Sequence, residues 1–323
     1  MTAPISLSDV QDARARLAPY LVPTPLRHYP TLDALIPGVT LLVKHENVQP
    51  TGSFKVRNGL ATITALDAGE RARGVVGATT GNHGLGLAFA GRQLGVPVTI
   101  CVPSGNNPEK NAALRAWGAS VIEQGADYDE AVAVSQQLVE ERGFTLCHST
   151  NNVNVLAGAG TMTLEILEQT HDLDVLLIAI GGGSQAVGAM TVARELHPRL
   201  RVIGIQAAGA STTHDGWHAK EARQGSRADT FAEGVATRST YELTFPALVD
   251  SLADFVTVTD AEIAEAVRLI IPATHHLVEG AGAMGVAAAL KLREQLQGQR
   301  VGVVFCGGNM DSAVLRRILN REM

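Results

Sequence analysis

The amino-acid sequence predicts an α/β protein with two lobes, each an open and mostly parallel sheet with helices on both faces. Short apolar runs rich in β-branched residues alternate with longer amphipathic stretches, which is the pattern of parallel sheets covered by helices. The chain has 323 residues, more than one average domain and fewer than three. Hydrophobic residues make up 46% of the chain and charged residues 18%, which is typical of a protein with a well-buried core.

Apolar runs bounded by Gly, Pro or polar residues are predicted to be strands because of their length and β-branched content. They are Thr40–Lys44, Val75–Ala78, Val98–Val102, Ser120–Ile122, Thr145–His148, Val175–Ile180, Arg201–Gln206, Phe255–Val258 and Val301–Cys306. Helical spacing of apolar residues predicts helices over Glu109–Trp117, Asp129–Arg142, Ala186–Leu196 and Asp260–Ile271. The last of these begins with Thr259-x-x-Glu262, a capping box in which two side chains satisfy backbone amides at the helix start.

The predicted strands fall into two groups, which we interpret as the two lobes. One group lies between about residues 74 and 150, and the other follows residue 175 and includes the early strand Thr40–Lys44. We therefore predict a small domain over residues 74–150 and a large domain over residues 1–73 and 151–323. The polar segment Ala210–Ser239 is either an ordered loop over a cleft or a mobile surface excursion.

Charge and composition exclude several classes of function. The net charge is −6 and the sequence has no basic stripe, so nucleic-acid binding has no electrostatic support. The cysteines Cys101, Cys147 and Cys306 are too widely spaced for a metal or disulfide framework, which indicates a reducing compartment. The N-terminal stretch is polar, and no run approaches the roughly 20 apolar residues that span a bilayer. We expect a soluble, cytoplasmic protein.

One lysine lies where a helix is predicted to begin. Pro50 and Gly52 end the preceding strand and Ser53 is a suitable N-cap, so Lys55 is predicted in the first helical turn. The helix dipole disfavours a cation there, and with partial burial it would lower the pKa of the Lys55 amine. A lowered pKa suits a nucleophile or base. The spacing by itself is also that of an ordinary solvated surface lysine.

Two polar turns follow predicted strands and have the chemistry of anion sites. After Val75–Ala78 comes Thr79-Thr80-Gly81-Asn82-His83-Gly84, whose hydroxyls and amides at a helix start suit a carboxylate. After Val175–Ile180 comes Gly181-Gly182-Gly183-Ser184-Gln185, whose consecutive backbone N–H groups can cradle a phosphate. The second turn is neither a P-loop nor a dinucleotide fingerprint. Each turn alone is also compatible with a connection that binds nothing.

A fourth motif, Cys306-Gly307-Gly308-Asn309, ends the strand that begins at Val301. In an open α/β sheet, the carboxyl ends of the strands are where ligands bind. A buried free cysteine is otherwise an inert small hydrophobic residue, and the motif alone does not decide between these interpretations.

Taken together and in this order, the four motifs resemble the fold-type II pyridoxal-phosphate enzymes, which have a fold like that of tryptophan synthase β. The similarity is greatest to the threonine/serine dehydratase and serine racemase branch, and it runs from about Pro23 to Asp311. It also includes Glu233-Gly234-Val235 and Glu279-Gly280-Ala281-Gly282. The resemblance implies pyridoxal 5'-phosphate as cofactor, an amino acid as substrate, and a homodimer or larger homo-oligomer.

The resemblance implies a role for each matching residue. Lys55 would form a Schiff base with the cofactor and later remove the substrate α-proton, and Phe54 would line the cofactor face. Asn82 would bind the phenolic oxygen and Cys306 would lie at the pyridine nitrogen. The other implied cofactor-binding residues are Gly181, Gly182, Gly183, Ser184, Gln185, Gly234 and Glu279. The implied substrate-binding residues are Ser53, Thr79, Thr80, Asn82 and His83, and Thr80 is also a candidate catalytic residue.

The resemblance implies β-elimination of a hydroxy amino acid to a 2-oxo acid and ammonia. A thiol is a weak hydrogen-bonding group, so Cys306 would leave the pyridine nitrogen largely neutral, which favours elimination over transamination. Racemases of this branch usually have Ser where this chain has Thr80, and the extra methyl restricts the rotamer, which disfavours racemisation. Ser184 replaces the usual fourth glycine of the phosphate loop and adds a donor. The segment Gln206–Thr212 offers no carboxylate, so no Mg²⁺ or Ca²⁺ is expected there.

The identity of the substrate stays open. Threonine and serine are the default, and aryl-serines or 3-hydroxyaspartate are alternatives, as are racemisation and a non-catalytic cofactor-binding relative. A nicotinamide oxidoreductase is disfavoured because no G-x-G-x-x-G follows an early strand. We expect His83 to orient its loop rather than to transfer protons. Nothing follows Met323, so we expect no regulatory domain and no feedback control by isoleucine.

Overall fold

The computed structural model of the chain describes residues 3–79, 81–126 and 128–323. Thr80, a candidate catalytic and substrate-binding residue, therefore lies outside the described residues. The strands, in chain order, are β1 Leu26–His28, β2 Thr40–Lys44, β3 Val75–Ala78, β4 Val98–Val102, β5 Ser120–Glu123, β6 Thr145–Leu146, β7 Val175–Ala179, β8 Arg201–Ala207, β9 Asp254–Val258 and β10 Arg300–Val304. They form two separate sheets.

The larger sheet has the strand order β1-β2-β10-β7-β8-β9 and the smaller sheet has the order β5-β4-β3-β6. All neighbouring strands are parallel except for β1, which pairs antiparallel with β2. The early strand Thr40–Lys44 pairs with β10 along its whole length, from Thr40 opposite Arg300 to Lys44 opposite Val304. Its predicted place beside the late strands is therefore confirmed.

The helices lie between the strands and pack against both sheets. In chain order they are α1 Leu7–Leu17, α2 Pro30–Asp33, α3 Lys55–Ala65, α4 Ala68–Arg73, α5 Asn82–Leu94, α6 Pro108–Ala116, α7 Tyr128–Arg142, α8 Val153–Gln169, α9 Ser184–Leu196, α10 Thr212–Ala219, α11 Phe245–Ser251, α12 Asp260–Thr274, α13 Gly280–Lys291 and α14 Ser312–Leu319. Two mostly parallel sheets joined through helices confirm the predicted α/β class. The capping box at Thr259 is present, with the Thr259 hydroxyl accepting from the Glu262 backbone N–H.

The predicted strands are all present, with ends that differ from the prediction by at most two residues. The strand at Thr145 ends at Leu146 instead of His148, because the His148 ring accepts backbone N–H groups from Thr150 and Asn151 and so begins a turn. The edge strand β1 was not predicted, since it has only three residues and is mostly exposed. The segment Ala210–Ser239 contains α10 and a bridge between Gln224 and Ser239, which favours the ordered alternative.

Helix α3, which begins at Lys55, connects the two sheets. Its buried residues Val56, Leu60 and Ile63 belong to the core of the smaller sheet, although β2 before it belongs to the larger sheet. A Cβ at Gly59 would lie 2.2 Å from the Gly86 carbonyl oxygen, and one at Gly86 would lie 2.3 Å from the Lys55 oxygen. Only glycine permits this approach, so the backbones of α3 and α5 are in direct contact.

A buried ion network anchors the first turn of α3 to the larger lobe. The Arg57 guanidinium contacts carboxylates of Glu46 and Glu165, both at 2.8 Å, and Lys44 contacts Glu165 at 2.8 Å. These four side chains are at most 2% exposed. Burial alone would raise the pKa of Glu46, but Arg57 outweighs it and lowers this pKa to about 2. The network is therefore charged at neutral pH, and its parts depend on one another.

Glu165→Gln should lower the free energy of unfolding by about 3 kcal/mol, because it leaves buried cations without their carboxylate. Glu168→Gln on the same helix is the matched control. Glu168 forms an exposed pair with Arg14, and its loss should cost less than about 1 kcal/mol. Urea unfolding of the two variants measures the difference, and equal effects would contradict the importance of the network.

Candidate active site

The loop before Lys55 is attached to the end of strand β10. Ser53 forms an antiparallel bridge with Gly307, and the Phe54 backbone N–H donates to the Cys306 carbonyl oxygen at 2.9 Å. The Gly308 N–H donates to the Gly52 carbonyl oxygen, also at 2.9 Å. The first and fourth sequence motifs are thus adjacent backbones, although some 250 residues separate them along the chain.

Lys55 is the first residue of α3, as predicted, and its side chain is half-buried. Burial lowers its pKa to about 8, while the nearby Cys306 and Glu279 act in the opposite direction. The Lys55 Nζ lies 4.9 Å from the centre of the Phe54 ring and forms no salt bridge with any residue that the structure describes. A minority of this amine, far larger than for an ordinary lysine, is therefore neutral near physiological pH.

The prediction that Ser53 caps this helix is wrong. The N-cap is Phe54, which makes no side-chain capping bond, because the backbone of Ser53 already pairs with Gly307. The Ser53 hydroxyl is instead fully buried and has no hydrogen-bond partner among the described residues. Such an orphaned hydroxyl beside a buried amine is typical of a ligand site.

Asn82 is the first residue of α5 and extends from the smaller lobe to the larger one. Its Nδ2 donates to Glu279 Oε1 at 2.7 Å, and its Oδ1 accepts from Asn309 Nδ2 at 2.7 Å. Glu279 is half-buried, and its desolvation raises the pKa of its carboxyl to about 7, although the bond from Asn82 and the charge of Lys110 oppose the rise. The structure therefore brings Asn82 and Glu279 into contact and places Lys55 near Glu279.

His83 and Thr79 flank this site within the same turn. His83 Nε2 donates to the Cys147 carbonyl oxygen at 2.9 Å, and burial, with a smaller effect of Lys55, lowers the pKa of the ring to about 3. The ring is neutral at physiological pH, and its buried Nδ1 has no partner among the described residues. The Thr79 hydroxyl accepts from the Gly81 backbone N–H at 3.1 Å, which shapes the turn.

The glycine loop at residues 181–183 forms a crowded cradle at the start of α9. A Cβ at Gly182 would lie 2.0 Å from the Thr150 hydroxyl, and one at Gly181 would lie 2.8 Å from the Gly234 carbonyl oxygen. Gly183 has a φ of +95° and is the N-cap, so Ser184 already has helical geometry and needs no glycine. The first backbone N–H groups of a helix have no intrahelical partner, so this helix start has the geometry to bind an anion.

Cys306 lies between Lys55 and the glycine loop. The thiol is buried, and burial together with the charge of Glu279 raises its pKa far above the usual range, while a hydrogen bond to Gln185 opposes the rise. Cys306 is therefore a neutral thiol. The Gln185 Oε1 is buried and has no partner among the described residues. Cys306 thus contacts the helix that carries the phosphate cradle.

Sequence reasoning missed several residues of the site. Asn309 belongs to a motif that was identified, but no role was assigned to it. Thr150 packs against Gly182, and the Thr244 hydroxyl donates to the Gly182 carbonyl oxygen at 2.6 Å. Neither threonine carries a sequence signal, because each reaches the site only through the fold. Lys110, which contacts Glu233 and Asp311 at 2.5 and 3.1 Å, also lies beside Gly81.

A family model described as "Pyridoxal-phosphate dependent enzyme" matches residues 17–307. The chain belongs to this family. Pyridoxal phosphate is accordingly its cofactor, and the implied fold-type II architecture is confirmed.

Three relatives illustrate the range of activities among similar proteins. An L-threonine ammonia-lyase of Geobacter sulfurreducens is 37% identical over 315 residues, covering 97% of this chain and 78% of that protein. An L-threo-3-hydroxyaspartate ammonia-lyase of Pseudomonas sp. is 35% identical and covers 95% of this chain and 96% of that protein. The solved structure of maize serine racemase superposes with a TM-score of 0.93 at 29% identity, covering 99% and 98% of the two chains.

The residues present fit the cofactor. The site offers an amine of lowered pKa, a glycine cradle at a helix start for the phosphate, and buried polar atoms without partners at Ser53 and Gln185. Within the described ranges, no group of three or more His, Cys, Asp or Glu side chains is arranged to hold a metal ion. In the segment Gln206–Thr212, where no Mg²⁺ or Ca²⁺ is expected, the Gln206 side-chain oxygen accepts a hydrogen bond from the His214 backbone N–H at 2.8 Å.

Gly182→Ala should weaken the binding of pyridoxal phosphate by at least tenfold, because the new methyl overlaps the Thr150 hydroxyl and distorts the cradle. Gly69→Ala, in the exposed helix α4, is the control, since its nearest neighbour is the flexible end of Arg73. Fluorescence titration of each apoprotein with the cofactor measures both dissociation constants. Unchanged affinity in Gly182→Ala would place the phosphate elsewhere.

Glu279→Gln should change how the stability of the apoprotein depends on pH. Between pH 4.5 and about 7 the folded protein keeps a proton on Glu279 that the unfolded chain has released. The free energy of unfolding of the wild type should therefore fall across this range and stay lower above it. The variant lacks this fall, which is at most about 3 kcal/mol. Urea unfolding at pH 5 and 7.5 measures it, with the exposed Glu294→Gln as control; parallel curves for wild type and Glu279→Gln would contradict the raised pKa.

Proposed function

We propose that the protein is a pyridoxal-phosphate-dependent ammonia-lyase that converts a β-hydroxy amino acid, such as threonine or serine, to a 2-oxo acid and ammonia. The observation that carries the proposal is the buried, neutral Cys306 thiol near the amine of Lys55. A carboxylate at the pyridine nitrogen would strengthen electron withdrawal and favour transamination, and a neutral thiol does not. The threonine ammonia-lyase of Geobacter sulfurreducens, at 37% identity, supports the same reaction class.

Each site residue then has a proposed task. Lys55 holds the cofactor covalently, Phe54 lies against its ring, and Asn82 donates to its phenolic oxygen. The cradle of Gly181, Gly182, Gly183, Ser184 and Gln185, with Gly234 behind it, binds the phosphate. Ser53, Thr79, Asn82 and His83 surround the substrate carboxylate, and we assign Thr80 to the same set. Glu279 and Cys306 complete the cofactor environment.

The cofactor, when bound, withdraws electrons from the α-carbon of the amino acid. The substrate amino group would take the place of Lys55, and the freed Nζ would then accept the α-proton, which its pKa of about 8 allows because part of the amine is neutral at physiological pH. Nζ would return this proton to the β-hydroxyl, which leaves as water. The released enamine becomes an imine, and its hydrolysis gives the 2-oxo acid and ammonia. Burial of His83 and Ser53 limits the access of bulk water to this part of the site.

Charges at the rim favour a substrate with a single carboxylate. Lys110 lies next to Gly81 in the substrate turn, but its amine is already paired with carboxylates of Glu233 and Asp311. A second carboxylate on the substrate would have to compete with both. We therefore rank threonine and serine above 3-hydroxyaspartate, although an ammonia-lyase for that compound is 35% identical. Aryl-serines are a further alternative.

We also propose the organisation predicted from the sequence, with a small domain over residues 74–150 and a large domain over residues 1–73 and 151–323. We propose a cytoplasmic homodimer. Among the described residues, no helix is both long enough and apolar enough to cross a membrane. Size-exclusion chromatography with light scattering tests the dimer.

A substrate panel decides among the alternatives. The release of 2-oxo acid is measured from serine, threonine, aryl-serines and 3-hydroxyaspartate in both stereochemical series, and formation of the mirror-image amino acid is measured in parallel. Release from serine or threonine supports the proposal, and inversion without release would identify a racemase. A coloured protein that acts on none of them would be a non-catalytic relative.

Lys55→Ala should lower turnover by about a thousandfold or more, because it removes both the covalent attachment and the proton acceptor. Its urea midpoint should stay near that of the wild type, since the substitution removes a poorly solvated amine. Lys291→Ala, on the exposed face of α13, is the matched control and should keep full activity. Substantial dehydration by Lys55→Ala would mean that another residue performs this task.

A further inference from the structure

A chain of hydrogen bonds determines which way the Asn82 amide faces. The Thr51 carbonyl oxygen can only accept, so the Asn309 atom 2.8 Å from it must be the donor Nδ2. The same Nδ2 lies 2.7 Å from Asn82, so the Asn82 atom facing it must be the acceptor Oδ1. The Asn82 Nδ2 consequently faces Glu279, whose Oε1 accepts at 2.7 Å. The orientation is thus set by a backbone carbonyl two residues away from Ser53.

Close packing holds both ends of this chain in place. A Cβ at Gly52 would lie 2.6 Å from Asn309 Oδ1, and one at Gly307 would lie 2.5 Å from Glu279 Oε1. Gly52 also has a φ of +71°, which favours glycine. The Asn309 backbone N–H donates to the Glu279 carboxyl as well. Neither the Asn309 amide nor the Glu279 carboxyl has space to rotate freely.

We infer that Asn309, acting with Glu279, is a positioning residue that fixes the Asn82 amide so that its second N–H is offered to the cofactor. An asparagine amide has two N–H donors, and Glu279 uses one of them. The phenolic oxygen of pyridoxal phosphate is an acceptor, and the opposite amide orientation would present it with a carbonyl oxygen. The inference rests on the proposed function, in which Asn82 contacts this oxygen.

The other titratable groups around Glu279 do not orient the Asn82 amide. Lys55 and Cys306 face it from the cofactor side, and Lys110 and Glu233 act on it from the rim. None of these four donates to or accepts from the Asn82 amide in the described structure. The orientation therefore depends on Asn309 and Glu279 alone among the described side chains.

The experiment inverts the chain of hydrogen bonds. Asn309→Asp places an acceptor opposite both the Thr51 carbonyl and Asn82 Oδ1, so the Asn82 amide should turn over and direct Nδ2 to the new carboxylate. Above about pH 7, where Glu279 is mostly ionised, the Asn82 Oδ1 then faces the Glu279 carboxylate, and two facing acceptors lower stability. Adding Glu279→Gln supplies an N–H to that oxygen. The double variant should therefore regain part of the lost stability while keeping the inverted amide.

Two measurements on the same apoproteins separate positioning from folding. Titration with pyridoxal 5'-phosphate gives the dissociation constant and the absorption band of the bound cofactor, and urea unfolding gives stability. We expect both variants to bind the cofactor roughly tenfold to a hundredfold more weakly than the wild type. The absorption band should shift in both, and only the urea midpoint should recover in the double variant. Asn320 is an exposed asparagine near the C-terminus, and Asn320→Asp is the control for the added negative charge.

Wild-type affinity in Asn309→Asp would overturn the inference. Recovery of affinity in parallel with stability in the double variant would also overturn it, because the amide orientation would then not matter. If Asn309→Asp fails to fold, Asn309→Ala decides: a severalfold weaker affinity supports positioning, and unchanged affinity overturns it. Wild-type apoprotein that binds no cofactor would overturn the proposed function itself, which is a different result.

Discussion

The rest of the site depends on the burial of the Lys55 amine without a counter-ion. A buried ammonium loses its hydration, and no carboxylate pairs with it among the described residues, so the neutral form is favoured and the pKa is lowered to about 8. The Phe54 ring, the neutral Cys306 thiol and a Glu279 carboxyl of raised pKa surround it. The Phe54 ring and the Cys306 thiol carry no charge, and Glu279 offsets only part of the desolvation, so the pKa of the amine stays lowered.

The site also depends on two lobes that meet closely. The direct contact between Gly59 and Gly86 fixes α5 against α3, which places Asn82 within reach of Glu279 and Asn309. On the other side, Thr150 and Thr244 hold the glycine loop in position. Small residues allow backbone contact, and polar residues convert that contact into hydrogen bonds of defined direction. The geometry of the site is thus produced by packing rather than by any single motif.

Most of the fold could be predicted because the spacing of apolar residues and the local composition are properties of short sequence segments. The apolar runs at Val75–Ala78 and Val98–Val102 match their strands residue for residue. Predictions were less accurate where a distant partner decides the outcome. Ser53 has the chemistry of an N-cap, but a bridge to Gly307 takes its backbone out of that position. The role of Asn309 needed the Thr51 carbonyl, which no sequence pattern connects to it.

Lys55 and Arg57 show most clearly which properties the sequence determines and which depend on the tertiary structure. The sequence by itself determined that both cations lie in the first turn of one helix and that glycine-rich turns follow the strands around it. Only the tertiary structure decided that Arg57 meets Glu46 and Glu165, whereas Lys55 meets a thiol and an aromatic ring. The physical reason is that a pKa follows the partners and the dielectric around a group, and both are set by chain segments far away in sequence. Two cations, two residues apart, therefore have opposite pKa shifts: Arg57 stays charged, and the lowered pKa of Lys55 makes its neutral, nucleophilic form more accessible.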